Sequence, residues 1–374
     1  MIIKNAFVYG EDKTFSIRDI VIENGIFTEH ASASDGEIIN AAGLYAIPGL
    51  VDIHFHGCMG HDFCDGTIDA IREITRYEAS VGVTSVCPAT MTLSPESLET
   101  IMTAAKEYKN STRLPDHSAL VGINMEGPFI SMAKKGAQAA DHIRLCDVDL
   151  FRSLQAASGD LVKLVDIAPE NEGAMEFIDT LKDEVCISLA HTTANYATAK
   201  EAYDRGARHA THLYNAMPAF THREPGVVGA ALDSPHCMVE LICDGVHIHP
   251  SVVRATFRMF GDDRVILISD SMRAAGMQDG QYTLGGQDVT VKGKYATLVS
   301  DGALAGSVTN LMDCMKTAVK EMQIPLESAV ACATMNPAKA IGIYDTYGSI
   351  STGKIANLVL LDDELNVKKI IINS

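Results

Sequence analysis

The chain has 374 residues, of which 47% are hydrophobic and 21% charged, a globular composition that argues against disorder over most of its length. Its formal net charge of -18 argues against a nucleic-acid partner, because nucleic-acid binding requires a basic face. No apolar run approaches the roughly 20 residues that span a bilayer, and the N-terminus lacks a basic segment followed by a long apolar one. We therefore expect a soluble, cytoplasmic protein that does not bind membranes.

Nine cysteines are scattered along the chain without any Cys-x-x-Cys pair. They are Cys58, Cys64, Cys87, Cys146, Cys186, Cys237, Cys243, Cys314 and Cys332. This odd number and spacing indicate neither a disulfide framework nor a thiolate zinc site. We expect small buried hydrophobic residues in a reducing compartment.

Both ends of the chain carry short, weakly alternating apolar segments that are typical of β-hairpins. They cover residues 2–39 and 348–372, and Asn-Gly or Asp-rich turns interrupt them. Neither segment is long enough to build a core alone. We predict that residues 1–47 and 343–374 pair into one small β-sandwich domain.

Between these ends, short apolar runs alternate with helical patterns, as they do in βα units. The first predicted helix places apolar residues from Ile68 to Val81 on one face, and the second begins at Pro95 with Ser94 as its N-cap. The eight predicted strands are VDIHF (51–55), VTSVC (83–87), ALVGINM (119–125), VKLVDI (162–167), VCISLA (185–190), RHATH (208–212), MVELIC (238–243) and VILIS (265–269).

Eight strands alternating with helices over roughly 250 residues match the size of a (β/α)8 TIM-like barrel. We predict this α/β fold for residues 48–342. A doubly wound open sheet is the competing architecture, although no Gly-x-Gly-x-x-Gly turn follows the first strand. In a barrel, the active site lies at the C-terminal ends of the strands.

Polar residues cluster at those predicted strand ends: His54, His56, Glu126, His191, His212, Asp244, His247 and Asp270. A single histidine at a strand end is more often structural than a ligand, and Asp244 before Gly245 could be a turn residue. Glu126 is harder to dismiss, because an unpaired carboxylate near a barrel axis would be costly and a cation is its natural partner. The joint pattern predicts a metal site.

Histidine nitrogens with carboxylate oxygens, and no thiolates, suit zinc or ferrous iron in an open catalytic site. The implied chemistry is hydrolysis, because a divalent metal lowers the pKa of water to roughly 7 and polarises a carbonyl. Asp270 could take and return the proton.

Ten segments together resemble the amidohydrolase superfamily, and within it the family that deacetylates N-acetylglucosamine 6-phosphate. The segments are AAGLYAIPGLVDIHFHG, NMEGPF, KKGAQ, LAHTTANY, THLYNAM, HREPGVVGA, CDGVHI, ISDSM, DGALAGS and GSISTGKIANLVLLD. The resemblance covers essentially the whole chain. It implies a divalent metal, Zn or Fe(II), with one or two ions per subunit.

The resemblance also implies residue roles. Glu126, His191 and His212 would bind the principal metal, and Asp270 would be the catalytic acid and base. The implied substrate contacts are Ala137, Gln138, Asn215, Ala216, Arg223, His247, Leu304, Ala305 and Gly306. Arg223 would bind the sugar phosphate bidentately from the neighbouring subunit, which implies a homodimer.

Two positions depart from common family patterns. Gln138 stands where many relatives carry a histidine, and an amide can donate a hydrogen bond but cannot become cationic. His54 and His56 are present, whereas some relatives replace both with amides and hold one metal. A second metal, bridged to the first through Glu126, is therefore compatible with this sequence.

Three alternatives stay open beside N-acetylglucosamine 6-phosphate deacetylation. The substrate could be the galactosamine epimer, because the orientation of one hydroxyl is not legible in sequence. A cyclic-amide hydrolase ranks low, because the fourth strand ends in VDIAPE without the lysine such enzymes modify. A non-enzymatic scaffold on the same barrel predicts loss of the proton-transfer group, yet Asp270 is intact.

Overall fold

The computed structural model describes residues 1–30, 36–112 and 114–373. Its first five strands lie in one sheet: β1 (Ile2–Tyr9), β2 (Phe15–Glu23), β3 (Ile26–Thr28), β4 (Ile38–Asn40) and β5 (Tyr45–Pro48). β1 pairs antiparallel with β2 and parallel with both β4 and β5. Asn24 and Gly25 form the two-residue turn between β2 and β3, both with positive φ, as a tight hairpin of this twist requires.

Parallel strands follow, and each of the eight predicted apolar runs contains one. They are β6 (Leu50–Asp52), β9 (Val83–Val86), β10 (Ala119–Leu120), β11 (Ile123–Glu126), β12 (Val162–Ile167), β13 (Cys186–Leu189), β14 (His209–Ala210), β15 (Met238–Ile242) and β16 (Val265–Ile268), while β7 (Gly57–Cys58) and β8 (His61–Asp62) form a short hairpin. The predicted third strand is interrupted, so that β10 and β11 share it.

The parallel strands form two sheets, ordered β6-β9-β10 and β11 to β16 in sequence. Ala89 and Asn124 form a parallel bridge between these sheets. At the other end, the Asp270 N–H donates to the His54 carbonyl at 2.9 Å, which connects the segments after β16 and β6. The central part of the chain is therefore a curved, predominantly parallel sheet in an α/β fold.

Ten α-helices are described. They are α1 (Ile68–Ser80), α2 (Pro95–Asn110), α3 (Val148–Ser158), α4 (Ala174–Leu181), α5 (Tyr196–Arg205), α6 (Gly226–Leu232), α7 (Pro250–Phe260), α8 (Leu311–Lys320), α9 (Leu326–Ala333) and α10 (Met335–Ala340). The Ser94 cap of α2 is confirmed, because its side chain accepts from the Ser97 N–H. The prediction for α1 was one residue too long: Val81 is its C-cap, and Gly82 follows with a positive φ.

An antiparallel sheet that was not predicted from the sequence lies between β16 and α8. It consists of β17 (Gly280–Leu284), β18 (Gln287–Lys292) and β19 (Tyr295–Leu298). The Gln287 amide donates a hydrogen bond to the Ala137 carbonyl. This contact places the added sheet against the Lys-Lys-Gly segment near the carboxyl ends of the parallel strands.

The last two strands, β20 (Leu358–Leu361) and β21 (Val367–Ile371), return to the first sheet. β20 pairs antiparallel with β5, which gives the order β21-β20-β5-β1-β2-β3 with β4 beside β1. Strands from both chain ends thus share one hydrogen-bonded sheet. It has its own core cluster, which includes Ile3, Val8 and Leu358.

A larger core lies between the parallel strands and the helices, and a smaller cluster with Val51, Ile53 and Ile266 includes α10. All nine cysteines are free, and seven are buried. Within the described ranges, no helix has both the length and the apolar character needed to cross a membrane.

Candidate metal centre

Six polar residues predicted from the sequence meet at the carboxyl ends of the parallel strands, which we call the carboxyl edge. Each is at most 8% exposed: His54, His56, Glu126, His191, His212 and Asp270. His191, His212 and Asp270 adopt positive φ angles of 43°, 30° and 46°. For non-glycine residues this backbone costs of order 1–3 kcal/mol, and such strain concentrates at functional sites.

Glu126, His191 and His212 place one ligand atom each at the corners of a small triangle. Glu126 Oε1 lies 3.1 Å from His191 Nε2 and 3.2 Å from His212 Nε2, and the two Nε2 atoms are 3.2 Å apart. Ligands of a tetrahedral zinc ion, at about 2.1 Å from the metal, lie about 3.4 Å from one another. The triangle therefore has nearly the size of a first coordination shell.

The hydrogen bonding of His191 determines which of its nitrogens is free. Its Nδ1 lies 2.8 Å from the Lys134 carbonyl, an acceptor, so Nδ1 carries the proton. In its neutral form, His191 then points an Nε2 lone pair at the Oε1 atom of the Glu126 carboxylate. Such a convergence of acceptors is unfavourable without a cation, and a divalent metal ion fits it.

A second set of ligand atoms lies beside the first. His54, His56 and Asp270 bring one atom each within 4.8 Å of one another, and so do His54, Glu126 and His212. His56 Nε2 lies 3.4 Å from both Asp270 Oδ1 and Glu126 Oε2. The two oxygens of Glu126 thus face different histidines, which is the geometry of a carboxylate that can bridge two ions.

Gln138 holds this carboxylate in place. Its amide nitrogen donates to Glu126 Oε2 at 2.7 Å, and its amide oxygen accepts from the Thr92 N–H at 2.6 Å. The expectation that Gln138 can still donate a hydrogen bond is confirmed. Its described partner, however, is the candidate metal ligand Glu126.

The electrostatics of the site favour ionised carboxylates. Burial raises the pKa of Glu126, but the charge of His54 and the hydrogen bonds of the other imidazoles outweigh it, so the pKa lies well below its usual value. Asp270 behaves similarly: burial opposes ionisation, while the hydrogen bond from His56 and the charge of His54 lower the pKa. Asp270 is therefore a carboxylate at neutral pH, as a general base must be.

A cavity of about 330 Å³ opens onto these residues. The predicted site residues that line it are His56, Glu126, Ala137, Gln138, His191, His212, Asn215, Ala216, His247, Asp270, Leu304 and Gly306. Lys134, Met91 and Leu284 line it as well. Leu284 belongs to β17, so the unanticipated sheet contributes to the cavity wall.

Three predicted site residues do not line this cavity. His54 is completely buried below it, Ala305 is 1% exposed, and Arg223 is exposed at the surface. The Ala305 N–H donates to the Ala296 carbonyl, so this residue joins the segment to β19. Arg223 therefore does not reach the cavity of its own chain.

His247 lines the cavity with a fixed ring. Its Nδ1 lies 2.7 Å from Asp244 Oδ2, while Asp244 Oδ1 accepts from the N–H groups of Val246 and His247. Burial lowers the pKa of His247, but the hydrogen bond to Asp244 outweighs it and raises the pKa. Asp244 therefore has two roles: its Oδ1 atom stabilises the turn after β15, and its Oδ2 atom orients the His247 ring.

Sequence reasoning missed Glu240 and His209. Glu240 is completely buried on β15, where it contacts the rings of His54 and His209 at 3.0 Å each. A glutamate inside the apolar run MVELIC carried the same signal that singled out Glu126. β12 also contains a buried acid, Asp166, but no lysine ends that strand near the site.

Comparisons with known proteins converge on one family. Residues 45–374 match the model of the amidohydrolase family. The N-acetylglucosamine-6-phosphate deacetylase of Bacillus subtilis is 37% identical over 98% of this chain and 94% of its own. The N-acetylgalactosamine-6-phosphate deacetylase of Escherichia coli O157:H7 is 35% identical over 86% of this chain and 85% of its own.

Solved structures agree with the sequence comparisons. The N-acetylglucosamine-6-phosphate deacetylase of Pasteurella multocida superposes with a TM-score of 0.92 at 27% identity, covering 100% of this chain and 98% of the other. A complex of the Mycobacterium smegmatis deacetylase, an aspartate-to-alanine variant with N-acetyl-D-glucosamine-6-phosphate bound, gives 0.91 at 29% identity and covers 100% and 97%.

Proposed function

Because this chain belongs to the amidohydrolase family, we propose that it hydrolyses the acetamide of N-acetyl-D-glucosamine 6-phosphate. The products are D-glucosamine 6-phosphate and acetate. Deacetylases of this substrate from several organisms match at 32–37% identity over most of the chain. The observation that carries the proposal is the triangle of Glu126, His191 and His212 at the cavity, next to the ionised Asp270.

We propose that the curved parallel sheet closes into a (β/α)8 barrel over residues 48–342. The bridge between Ala89 and Asn124 and the hydrogen bond from Asp270 to the His54 carbonyl support this closure. Residues 1–47 and 343–374 then form the small β domain, in which the single terminal sheet folds around its own core as a sandwich. Residues 31–35 and 374 of this domain lie outside the described ranges.

Glu126, His191 and His212 would hold the principal divalent ion, zinc or ferrous iron, and His54 and His56 would contribute to a second. When bound, such an ion polarises the acetamide carbonyl and lowers the pKa of a nearby water to roughly 7. Nitrogen and carboxylate ligands without thiolates suit either metal. Gln138 keeps Glu126 oriented through its 2.7 Å hydrogen bond.

Asp270 transfers the proton in this proposal. Its lowered pKa makes it a base at neutral pH, and it borders the cavity, within reach of a water that attacks the carbonyl carbon. The proton that it accepts from the water passes to the departing amine nitrogen as the C–N bond breaks. Acetate and the free amine are then released.

The cavity wall supplies the substrate contacts. His247, whose Nδ1 is held by Asp244, presents its other ring nitrogen for the sugar or its acetamide. Leu304, Ala305 and Gly306 would border the acetyl group; Leu304 and Gly306 line the cavity, while Ala305 is 1% exposed. Ala137 also lines the cavity and would contact the substrate. Asn215 and Ala216 also line the cavity and would contact the phosphate.

Arg223 would complete the phosphate site of a neighbouring subunit in a homodimer. The exposure of Arg223 and its absence from the cavity of its own chain support this assignment. A guanidinium binds phosphate bidentately and would supply positive charge inside a chain of net charge -18.

The galactosamine epimer is a second candidate substrate, and the similarity to the Escherichia coli deacetylase of that sugar phosphate favours testing it. Acetate release should be measured with both sugar phosphates and with unphosphorylated N-acetylglucosamine. The proposal expects the highest kcat/KM for N-acetylglucosamine 6-phosphate. A higher kcat/KM for the epimer would reverse the assignment, and no release from any of the three would refute deacetylation.

A further inference from the structure

Glu240 connects two candidate metal ligands from a position outside the cavity. Its Oε2 atom lies 3.0 Å from His54 Nδ1 and accepts from the His212 backbone N–H, also at 3.0 Å. Its Oε1 atom lies 3.0 Å from His209 Nε2. The Glu240 side chain is 0% exposed, so its carboxylate depends on these three polar groups, rather than on solvent, for hydrogen bonds.

The contacts of Glu240 determine the protonation pattern of His54. The His212 backbone N–H can only donate, so the Oε2 atom that it contacts is an acceptor and carries no proton. His54 must therefore donate through Nδ1. In neutral His54 the lone pair is then on Nε2, which has no hydrogen-bond partner and lies 3.5 Å from Glu126 Oε1.

We propose that Glu240 is a positioning residue for the metal centre, which fixes His54 as the Nδ1–H tautomer and aims Nε2 at the ion. The same Glu240 oxygen accepts from the His212 N–H, so it also connects the segment after β14 to His54. Carboxylates that orient a metal-binding histidine in this way raise the basicity of the ligand. The inference rests on one part of the proposed function, namely that these residues bind a metal ion.

Asp166 provides a matched contrast within the same part of the molecule. It is also 0% exposed, but its Oδ1 accepts from the Thr211 hydroxyl at 2.7 Å and its Oδ2 has no hydrogen-bond partner. No imidazole is hydrogen-bonded to Asp166 among the described residues. Asp166→Asn therefore changes a buried carboxylate without changing the tautomer of a histidine.

Glu240→Gln tests the role with an isosteric group. The His212 N–H can only donate a hydrogen bond. The oxygen of the introduced glutamine amide must therefore take the Oε2 position, and its NH2 group must face His209. His209 can then move its proton to Nδ1, which has no hydrogen-bond partner. We expect His54 to remain the Nδ1–H tautomer in this variant while His209 changes to its other tautomer.

Glu240→Leu removes every acceptor and should release His54. Protein labelled with 15N-histidine and loaded with Zn²⁺ reports each tautomer through two-bond 1H–15N correlations. The wild type, Asp166→Asn and Glu240→Gln should show His54 as Nδ1–H. In Glu240→Leu this pattern should be lost, and the affinity for the second Zn²⁺ ion, the one that His54 would bind, should fall about 10- to 100-fold in competition with a chelator.

A double-mutant comparison separates this role from general stabilisation. If Glu240 acts through His54, then Glu240→Leu should weaken Zn²⁺ binding much less in a His54→Ala background than in the wild type. An Nε2–H tautomer of His54 in the Zn²⁺-loaded wild type, or wild-type Zn²⁺ affinity in Glu240→Leu, would overturn the inference. Neither readout uses acetate release, so an inactive wild type would refute the proposed function alone.

Discussion

Two buried glutamates in this molecule have pKa values shifted in opposite directions. Glu240, at the carboxyl edge, is surrounded by histidine and backbone donors, and its pKa is lowered despite burial. Glu78, on α1, is equally buried at 0% exposure, yet both of its carboxylate oxygens lack a hydrogen-bond partner. Burial and the nearby charge of Asp52 raise the pKa of Glu78 well above its usual value.

The opposite pKa shifts indicate which buried carboxylates belong to the candidate site. A buried carboxylate is costly unless donors or a cation compensate it. At the carboxyl edge, imidazoles compensate Glu126, Glu240 and Asp270, and they converge on a cavity. Near α1, burial raises the pKa of Asp52 to about 7, and Glu78 has no cationic partner among the described residues. Substitutions at the carboxyl edge should therefore change chemistry, and substitutions near α1 should change stability.

The largest expected effect is on proton transfer. Asp270→Asn cannot accept a proton, so kcat for acetate release should fall by about 10²- to 10⁴-fold or more. The ion held by Glu126, His191 and His212 should remain bound, because Asp270 is not among those three ligands. Steady-state acetate release and metal analysis check this prediction.

Asp69→Asn is the control for that substitution, since Asp69 has an 86% exposed side chain on α1. Its kcat should equal that of the wild type. Near-normal turnover in Asp270→Asn would remove Asp270 from the proposed mechanism.

The next effect concerns the substrate phosphate. Arg223→Met should lower kcat/KM about 10- to 100-fold for the phosphorylated sugar, the size expected from a lost charged hydrogen bond of roughly 1.5–3 kcal/mol. Turnover of unphosphorylated N-acetylglucosamine should be nearly unchanged, because it lacks the group that Arg223 binds. Arg72→Met, on the surface of α1, is the matched control.

Equal losses for the phosphorylated and unphosphorylated sugars would contradict a phosphate contact at Arg223. Mixing Arg223→Met with Asp270→Asn refines the test. If Arg223 serves the neighbouring site, heterodimers of these two inactive or impaired chains should recover part of the wild-type activity.

The number of metal ions bound per chain tests whether the carboxyl edge has one or two sets of metal ligands. Changing both His54 and His56 to Ala should reduce bound metal from two ions per chain to one, because the triangle of Glu126, His191 and His212 stays intact. Metal analysis of the fully loaded protein measures this. One ion per chain in the unaltered protein would show that the two histidines form only an outer wall of the site.

The smallest effect is on stability near α1. The pKa of Glu78 is raised in the folded protein, so the folded state holds this proton more tightly than the unfolded chain does. The free energy of unfolding is therefore highest below pH 4.5, the usual pKa, and falls as the pH rises toward the pKa of Glu78 in the folded protein. Glu78→Gln removes this loss. Its Tm should exceed that of the wild type at pH 8 by about 2–4 °C, the shift that roughly 1 kcal/mol produces in a larger domain, and by less at pH 5.

Acetate release by Glu78→Gln should equal that of the wild type. Glu73→Gln is its control on the same helix, since Glu73 pairs with Arg76 at the surface. A lower Tm for Glu78→Gln at both pH values would mean that Glu78 has a stabilising role, and the contrast with Glu240 would then fail.

The strands and the candidate ligands could be predicted from the sequence because their signals are local. Strand runs are apolar, and Glu126 or Asp270 interrupts apolar surroundings at a strand end. The sheet of β17 to β19 was missed although Gly285 and Gly286, both with positive φ, mark a hairpin turn. Repeated βα units made this stretch look like a connection, and no local pattern says which strands stack over a cavity.

The partners of each ligand could not be read from the sequence. Glu240 and His54 are 186 residues apart, and their contact depends on the order of the parallel strands around the sheet. The role proposed for Arg223 is a similar case, because it depends on a contact with a second chain. Local patterns fix which residues are polar at strand ends, whereas tertiary packing decides what each one contacts.

The central claim is that a divalent ion at Glu126, His191 and His212 is required to deacetylate the sugar phosphate. The most direct measurement is acetate release from N-acetylglucosamine 6-phosphate by metal-stripped protein during titration with Zn²⁺ or Fe²⁺. We expect negligible release without metal and a rise in proportion to the first ion bound per chain. Full activity in the stripped protein, or no gain at one bound ion, would contradict it.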